Sequence, residues 1–212
     1  MQCGASDEKA GETMPKRVDH QQRRAQIAEA VCSLVSARGL EAVSLRDVAA
    51  EAGISMGRVQ HYFRTKDEML LFVLEYVADR DVRGTRECLA AEPAPPSPRA
   101  VVGSVLGGLL DDDPRRVEAQ RVGLAFLARA LVEPRLAASL LQGYAGIQGL
   151  LEQVLRQGID EGSVDAATDP ESAATEVFAL AEGLRAQTLL GHLTRARALA
   201  VLDDRLDRLF TG

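Results

Sequence analysis

Apolar residues recur every three or four positions along most of this chain of 212 residues, which is the spacing of one helical face. The first such stretch predicts a helix over about 19–38, which Gly39 ends. No stretch alternates apolar and polar residues in the manner of a half-buried strand. The pattern therefore predicts an all-α fold of about nine helices.

Polar caps and prolines mark where the other helices begin and end. Ser44 and Ser55 each precede a short helical pattern, and a capping box over 65–68 precedes a longer one. Prolines favour the first turn of a helix, and three stand at such positions, namely Pro114, Pro134 and Pro170. The predicted helices after the first are 44–53, 55–62, one starting near 66, 99–110, 115–132, 135–160, 170–191 and 195–210.

Composition narrows the class of protein. Hydrophobic residues make up 46% of the chain, which is enough for a sizeable core, whereas residues 1–18 are polar and predict a disordered arm. The three cysteines are widely spaced and fit neither a disulfide framework nor a metal site. No signal peptide is evident, and the longest apolar run, 101–110, is too short to span a bilayer. We therefore expect a cytoplasmic protein with no membrane partner.

Charge is distributed unevenly along the chain. The net charge is −6, which by itself argues against a nucleic-acid partner. Residues 14–66, however, carry nine basic and five acidic side chains, so this segment has a net charge of +4 and the remainder −10. Such asymmetry indicates that one end of the molecule faces an anionic partner.

The stretch from Ser44 to Leu70 contains the most informative motif. Two short helices meet at Gly53, where a tight turn needs a residue that tolerates positive φ. An apolar seam joins the two helices, and it consists of Val48, Ala49, Ile54 and Val59. This arrangement predicts a helix-turn-helix whose second helix enters the major groove of DNA.

Donor-rich side chains cluster on and around that second helix. Arg58 suits guanine, Gln60 suits adenine, and caps such as Ser44 and Ser55 suit phosphate oxygens. Lys16 and Arg17 could reach a minor groove, or they could belong to a tail without a role. The predicted DNA-binding residues are Ser44, Arg46, Ser55, Met56, Gly57, Arg58, Gln60, His61, Tyr62 and Lys66.

This motif resembles the signature of the tetracycline-repressor (TetR) family over about residues 19–75. In that family a Gly-x-Ser-x-Gly turn leads into a recognition helix that ends in Tyr-Phe, and a Lys begins the next helix. The matching residues here are Gly53, Ser55, Gly57, Tyr62, Phe63 and Lys66. Family members often carry Tyr where this chain has Gln60, a residue that can contact either a phosphate or a base.

The resemblance implies a domain plan and a mode of action. It implies an arm over 1–18, a three-helix DNA-binding domain over 19–65, and a helical domain for ligand binding and dimerisation over 66–212. The protein would then be a homodimeric repressor, paired through its last two helices and released from a palindromic operator by an unknown small molecule. No cofactor is expected.

A ligand site is expected between the middle helices of the bundle. The candidate lining residues are Phe72, Phe126, Tyr144, Gln148 and Phe178, although aromatic residues at this spacing also build ordinary cores. Glycines recur at 143, 146 and 149, which favours either close helix packing or a bend that opens a cavity. The apolar arcs of 170–191 and 195–210 suit a dimer interface or a monomer core.

Two other functions fit parts of the sequence. The residues Gly53–Gly57 also match the nucleophile elbow of a hydrolase, but that elbow follows a strand and here a helix precedes it. A helical enzyme would need a catalytic group, and no paired carboxylates, metal-ligand spacing or triad is apparent, so we expect neither an enzyme nor a metal site. A DNA-binding protein whose C-terminal half only dimerises remains open.

Overall fold

The computed structural model describes residues 16–90 and 95–210, and within these residues the fold is all-α, as predicted. Nine α-helices and one short 3-10 helix form, with an isolated bridge between Val164 and Phe210. The helices are α1 Lys16–Arg38, α2 Leu45–Glu51, α3 Met56–Tyr62, α4 Lys66–Ala90, α5 Pro98–Gly107, α6 Pro114–Ala130, α7 Pro134–Asp160, α8 Pro170–Leu189 and α9 Arg195–Leu209.

Caps and prolines begin the helices where the sequence predicts. Ser44 caps α2 through a capping box with Asp47, and the Ser55 hydroxyl oxygen accepts a hydrogen bond from the backbone N–H of Arg58. Prolines occupy the first position of α5, α6, α7 and α8. The missing N–H of a proline costs nothing there, because the first N–H groups of a helix have no helical partner.

Several helix boundaries differ from the prediction, including the ends of α2 and α8, which lie two residues early at Glu51 and Leu189. Helix α1 begins at Lys16 instead of Asp19, since its polar first turn consists largely of good helix formers; residues 1–15 of the predicted arm lie outside the described residues. The predicted helix 99–110 divides at two consecutive glycines, Gly107 and Gly108, into α5 and the 3-10 helix Gly108–Leu110. Helix α6 ends at Ala130, two residues early.

Two apolar clusters make up the core. The first joins α1–α4 to α6 and the beginning of α7, and its largest fully buried side chains include Phe63, Phe126 and Met69. The second joins α5, the later part of α7, α8 and α9 around Leu151, Phe178 and the buried face of α9. Because α1 packs on α6 as well as on α2 and α4, the helix-turn-helix is anchored to the rest of the protein by its first helix.

Candidate nucleic-acid interface and ligand site

The turn between α2 and α3 is defined by backbone geometry. Gly53 has a φ of +64°, the left-handed region that the sequence predicts for this position. The backbone N–H of Ile54 donates to the carbonyl oxygen of Ala49 at 3.0 Å, which closes the corner. Val48 and Val59 are fully buried between the two helices. The predicted apolar seam is therefore confirmed, and it fixes how α3 projects from the protein.

Helix α3 is exposed on nearly all of its surface. Val59 is its one buried residue, and Phe63, immediately after the helix, is fully buried as predicted. The exposed residues of this region are Ser55, Met56, Gly57, Arg58, Gln60 and His61. Val59 and half-buried Tyr62, together with Phe63 after the helix, hold α3 to the protein, and its other side chains project into solvent.

The side chain of Tyr62 is partly buried and partly exposed to solvent. It is half-buried, and its ring lies 4.8 Å from the ring of His20 and 5.3 Å from that of His61. His20 comes from α1, so this contact ties the end of α3 to the first helix. Sequence reasoning missed His20 as a partner of Tyr62 because the two residues lie more than forty positions apart in the chain.

The two capping serines differ in what they offer a phosphate. The Ser44 hydroxyl donates its proton to the Asp47 carboxylate, and these hydrogen bonds hold the pKa of Asp47 below its usual value. Ser44 therefore has no spare hydroxyl proton and has a carboxylate beside it. The Ser55 hydroxyl accepts from Arg58 N–H at 3.3 Å and donates to no described residue, so its proton is available.

Positive charge on this surface is uncompensated. Among the described residues, none forms an ion pair with Arg46, Arg58 or Lys66. Some arginines elsewhere are paired, such as Arg99 with Asp207 and Arg205 with Glu176. Arg46 on α2 and Arg58 on α3 are exposed, and Lys66 at the start of α4 is half-buried.

Comparison with known proteins accounts for both halves of the chain. Residues 27–73 match the model for bacterial regulatory proteins of the tetR family, and residues 98–211 match the C-terminal domain of BetI-type transcriptional repressors. This chain belongs to the TetR family. It is a DNA-binding transcriptional regulator, and members of the family act as dimers with small-molecule effectors.

Individual relatives agree with that assignment. The chain is 29% identical over 179 residues to the transcriptional regulator PksA of Bacillus subtilis, covering 84% of this chain and 83% of PksA. It is 32% identical over 123 residues to the regulator BetI of Yersinia pestis, covering 58% of this chain and 62% of BetI. A TetR-family crystal structure from Rhodococcus superposes with a TM-score of 0.81 and 25% identity over 90% of this chain and 100% of that one.

The family assignment excludes the alternative of a hydrolase. TetR-family proteins are transcription factors and not enzymes. Ser55 lies between two helices, whereas a nucleophile elbow needs a strand before its serine. Within the described residues no group of metal-ligating side chains comes together, and no helix is long and apolar enough to cross a membrane.

The predicted ligand residues separate into two places. Tyr144 and Phe178 pack edge-to-face with their ring centroids 5.1 Å apart, and half-buried Gln148 lies one turn from Tyr144 on α7. Phe126 is fully buried in the first core. Phe72 also belongs to that cluster, where its ring contacts those of Phe63 and Tyr76. The structure thus brings Tyr144, Gln148 and Phe178 together and places the other two elsewhere.

Two charged residues beside Tyr144 were missed from the sequence. The Tyr144 hydroxyl donates to Glu182 Oε2 at 3.2 Å, and Arg185 Nη2 donates to the same oxygen at 2.6 Å. Burial and the Glu182 charge both raise the pKa of Tyr144. A signal did exist, because Glu182 and Arg185 are the charged residues in the otherwise apolar stretch 177–186.

Two of the connections between the DNA-binding helices and the rest involve α4. In the link 64–66, the backbone N–H of Arg64 donates to the Glu68 carboxylate at 2.9 Å. This hydrogen bond fixes the conformation of the link where α4 begins. Farther along α4, the Tyr76 hydroxyl donates to Glu29 of α1, and Arg80 donates to both oxygens of Glu29 at 3.3 Å. Burial and the Glu29 contact raise the pKa of Tyr76 to about 12.

The apolar arcs of the last two helices lie mostly inside the protomer. Val177, Phe178 and Ala181 of α8 are buried in the second core, as are Leu202 and Leu206 of α9. The exposed positions of these helices include small residues, namely Ala179, Gly183, Ala196 and Ala200, and polar or charged ones such as Thr175, Gln187, Asp203 and Asp207. The exposed apolar exception is Leu190, just after α8, with 83% of its surface accessible.

The glycine run of α7 packs against nothing within the protomer. Helix α7 is continuous from Pro134 to Asp160, and a Cβ added at Gly143, Gly146 or Gly149 would meet no described atom within 4 Å. Close packing among the described residues therefore does not explain these glycines. They leave an open strip on the outer face of α7.

Proposed function

We propose that this regulator is a repressor that binds a palindromic operator as a homodimer and leaves it when a small molecule binds. The observation that carries the proposal is the exposure of α3. Its donors and the Arg58 guanidinium are exposed, while Val59 and half-buried Tyr62 hold the helix to the protein. Such a helix suits the major groove, where base edges present acceptors to Arg and Gln.

Arg58 and Gln60 are the proposed base-reading residues. Both are exposed, and no described residue competes for the Arg58 guanidinium. Met56, Gly57 and His61 lie on the same exposed helix, whereas Ser55, Arg46, Tyr62 and Lys66 would contact the backbone. Of the proposed DNA-binding residues, Ser44 is the least suited to contact a phosphate, since its hydroxyl proton is donated to Asp47.

A binding assay tests the role of Arg58. Operator DNA selected from random sequence would be titrated with the protein and with Arg58→Ala, using fluorescence anisotropy. Loss of a bidentate base contact is expected to cost about 1–3 kcal/mol of specific binding. The matched control is Arg121→Ala, an exposed arginine on α6 far along the chain from the motif, which should bind as the parent does. Equal affinity of both variants would remove Arg58 from the interface.

The homodimer is proposed to form through α8 and α9. Small exposed residues such as Ala179, Gly183 and Ala200 let helices from two protomers approach closely, and Leu190 adds an apolar contact at the edge. Two DNA heads related by a two-fold axis would then read two halves of a palindrome. A regulator of chromosomal DNA would act in the cytoplasm.

A further inference from the structure

A small cavity lies where α4 meets α5, the 3-10 helix, α6 and α9. Its volume is ≈ 190 Å³, below the roughly 300–1,000 Å³ typical of sites for drug-sized ligands, so it suits a small molecule. None of the ligand residues predicted from the sequence lines it. The lining residues are Thr85, Ser104, Gly107, Gly108, Asp111, Arg116, Arg195 and Leu199.

Hydrogen-bond donors converge on the wall of this cavity in front of Gly108. A Cβ at Gly108 would lie 3.3 Å from Arg116 Nη1 and 3.9 Å from Thr85 Oγ1. The hydroxyl groups of Thr85 and Ser104 form no hydrogen bond with any described residue, so their protons are available. The absent side chain of Gly108 therefore leaves space between polar groups that share one cavity.

The two arginines of the lining are held through Nε and keep their outer nitrogens for a ligand. Arg195 Nε donates to the carbonyl oxygen of Leu110 at 3.0 Å and lies 3.5 Å from Asp112 Oδ1. Arg116 Nε lies 3.4 Å from Asp111 Oδ2. No described residue accepts a hydrogen bond from an Nη nitrogen of either arginine. The planar fork of a guanidinium matches the two oxygens of a carboxylate.

The charge of the lining selects a ligand with one negative charge. Arg116 and Arg195 stand against Asp111, which leaves a net charge of +1 on the cavity wall. Asp112 is 73% exposed, Asp81 lies within the field of Arg116, and neither residue lines the cavity. A monoanion balances this charge, whereas a dianion or an ammonium group would leave an unbalanced one.

We propose that this cavity binds a small monocarboxylate and that such an acid is the effector of the regulator. Its carboxylate accepts hydrogen bonds from Arg116 and Thr85 in front of Gly108, with Arg195 as the second cation. Its carbon body lies against Leu199. This inference rests on the proposed function, because it names the chemical class of the effector.

The cavity is placed to act on α4, the helix that begins beside the DNA-binding helices at Lys66. Thr85 belongs to α4, and Arg116 of α6 packs on the same helix, since its Nη2 lies 2.6 Å from where a Cβ on Gly84 would stand. A carboxylate between Thr85 and Arg116 therefore joins α4 to α6. It releases DNA if it binds more tightly to the arrangement of α4 that does not fit the operator.

Three acids compared with their amides test the chemical class. Acetate, butyrate and benzoate would be titrated into the full-length protein at constant ionic strength while thermal unfolding is followed. Acetamide, butyramide and benzamide have nearly the same shapes without the charge, and inorganic phosphate is the test of a dianion. We expect at least one acid to raise the unfolding temperature while its amide and phosphate leave it unchanged. Stabilisation by no acid beyond its amide, or stronger stabilisation by phosphate, would overturn the proposal.

A variant locates the site. Gly108→Ala places a methyl group between Arg116 Nη1 and Thr85 Oγ1, and the helical φ of −58° at this position accepts alanine. It should bind the stabilising acid at least tenfold more weakly. The matched control is Gly103→Ala on α5, whose Cβ would meet Leu206 at an ordinary 3.8 Å and does not line the cavity.

Equal binding by Gly108→Ala and the parent protein would contradict the assignment, because stabilisation would then come from a general salt effect or another site. If Gly108→Ala does not fold, the comparison of acids with amides on the parent protein decides.

The proposed function is tested separately by DNA release. If an acid binds the parent protein and not Gly108→Ala but leaves the protein on its operator, the site stands and effector-driven release fails. If the protein binds a palindromic operator but no acid stabilises it beyond its amide, the regulator stands and this inference fails.

Discussion

Gly57 lies in the first turn of α3, and a Cβ at its position would meet no described atom within 4 Å. We expect Gly57→Ala to keep the fold and even to stabilise the helix by up to about 1 kcal/mol, because glycine is the poorer helix former. The added methyl group would nevertheless stand on the surface proposed to face DNA. Operator affinity should therefore fall while the free energy of unfolding does not, which chemical denaturation and anisotropy together would measure.

At Gly53, unlike Gly57, an alanine is expected to destabilise the fold. No described atom crowds its missing Cβ either, but its φ of +64° is unfavourable for a residue with a side chain. Gly53→Ala is expected to lower the free energy of unfolding by about 1–2 kcal/mol, as measured by urea denaturation. If Gly53→Ala and Gly57→Ala proved equally stable, the turn geometry described for α2 and α3 would be wrong.

Cys32 gives a prediction on pH dependence. It is fully buried in α1, and burial raises the pKa of its thiol from 9.0 to about 12. A raised pKa means that the unfolded chain loses the proton first, so stability is intact below pH 9 and declines as the pH rises toward 12. Near pH 10.5 this loss amounts to about 2 kcal/mol. In Cys32→Ala the alkaline decline of the unfolding free energy should be correspondingly smaller, and an identical decline would contradict the burial of the thiol.

At the scale of secondary-structure elements, the arrangement of α8 and α9 predicts which face of the protomer forms the dimer interface. Ala179→Arg places a large charged side chain on the exposed face of α8, and we expect it to convert the dimer to monomers in sedimentation experiments while helical content is retained. The matched control is Ala145→Arg, on the exposed outer face of α7, which should remain dimeric. Dissociation of the control in place of Ala179→Arg would move the interface to the glycine strip of α7.

The positions where helices begin were the feature of the fold that the sequence predicted best. Ser44 and Pro134 begin helices because caps and prolines act locally, within one turn. The hydrogen bonds of Tyr144 and Arg185 to Glu182 were not predicted, since Tyr144 and Glu182 lie on different helices 38 residues apart. The contacts of Phe72 could not be predicted for the same reason. Its aromatic ring suited a ligand site, but in the folded protein it packs against Phe63 and Arg24. Local signals identify helices, and packing decides which residues meet.

At the scale of the whole molecule, charge separation predicts a strong dependence of DNA binding on salt. The segment 14–66 has a net charge of +4 and the remainder −10, so phosphate contacts must come from the N-terminal end. Operator affinity should fall by roughly a thousandfold or more between low and moderately high salt if several phosphates are contacted. Arg46→Ala should lower the slope of log affinity against log salt by about 1 for each DNA head without changing sequence preference. Salt-independent binding would contradict this electrostatic account.

The most direct test of the whole account is selection of bound DNA from a random-sequence pool by the purified protein. A dimer of helix-turn-helix heads predicts enrichment of one palindromic site, with half-sites whose centres lie about 34–36 Å apart or a multiple of that distance. Arg58→Ala should weaken or lose that enrichment. Recovery of an asymmetric site, or of no preferred sequence, would contradict a symmetric repressor that reads DNA with α3.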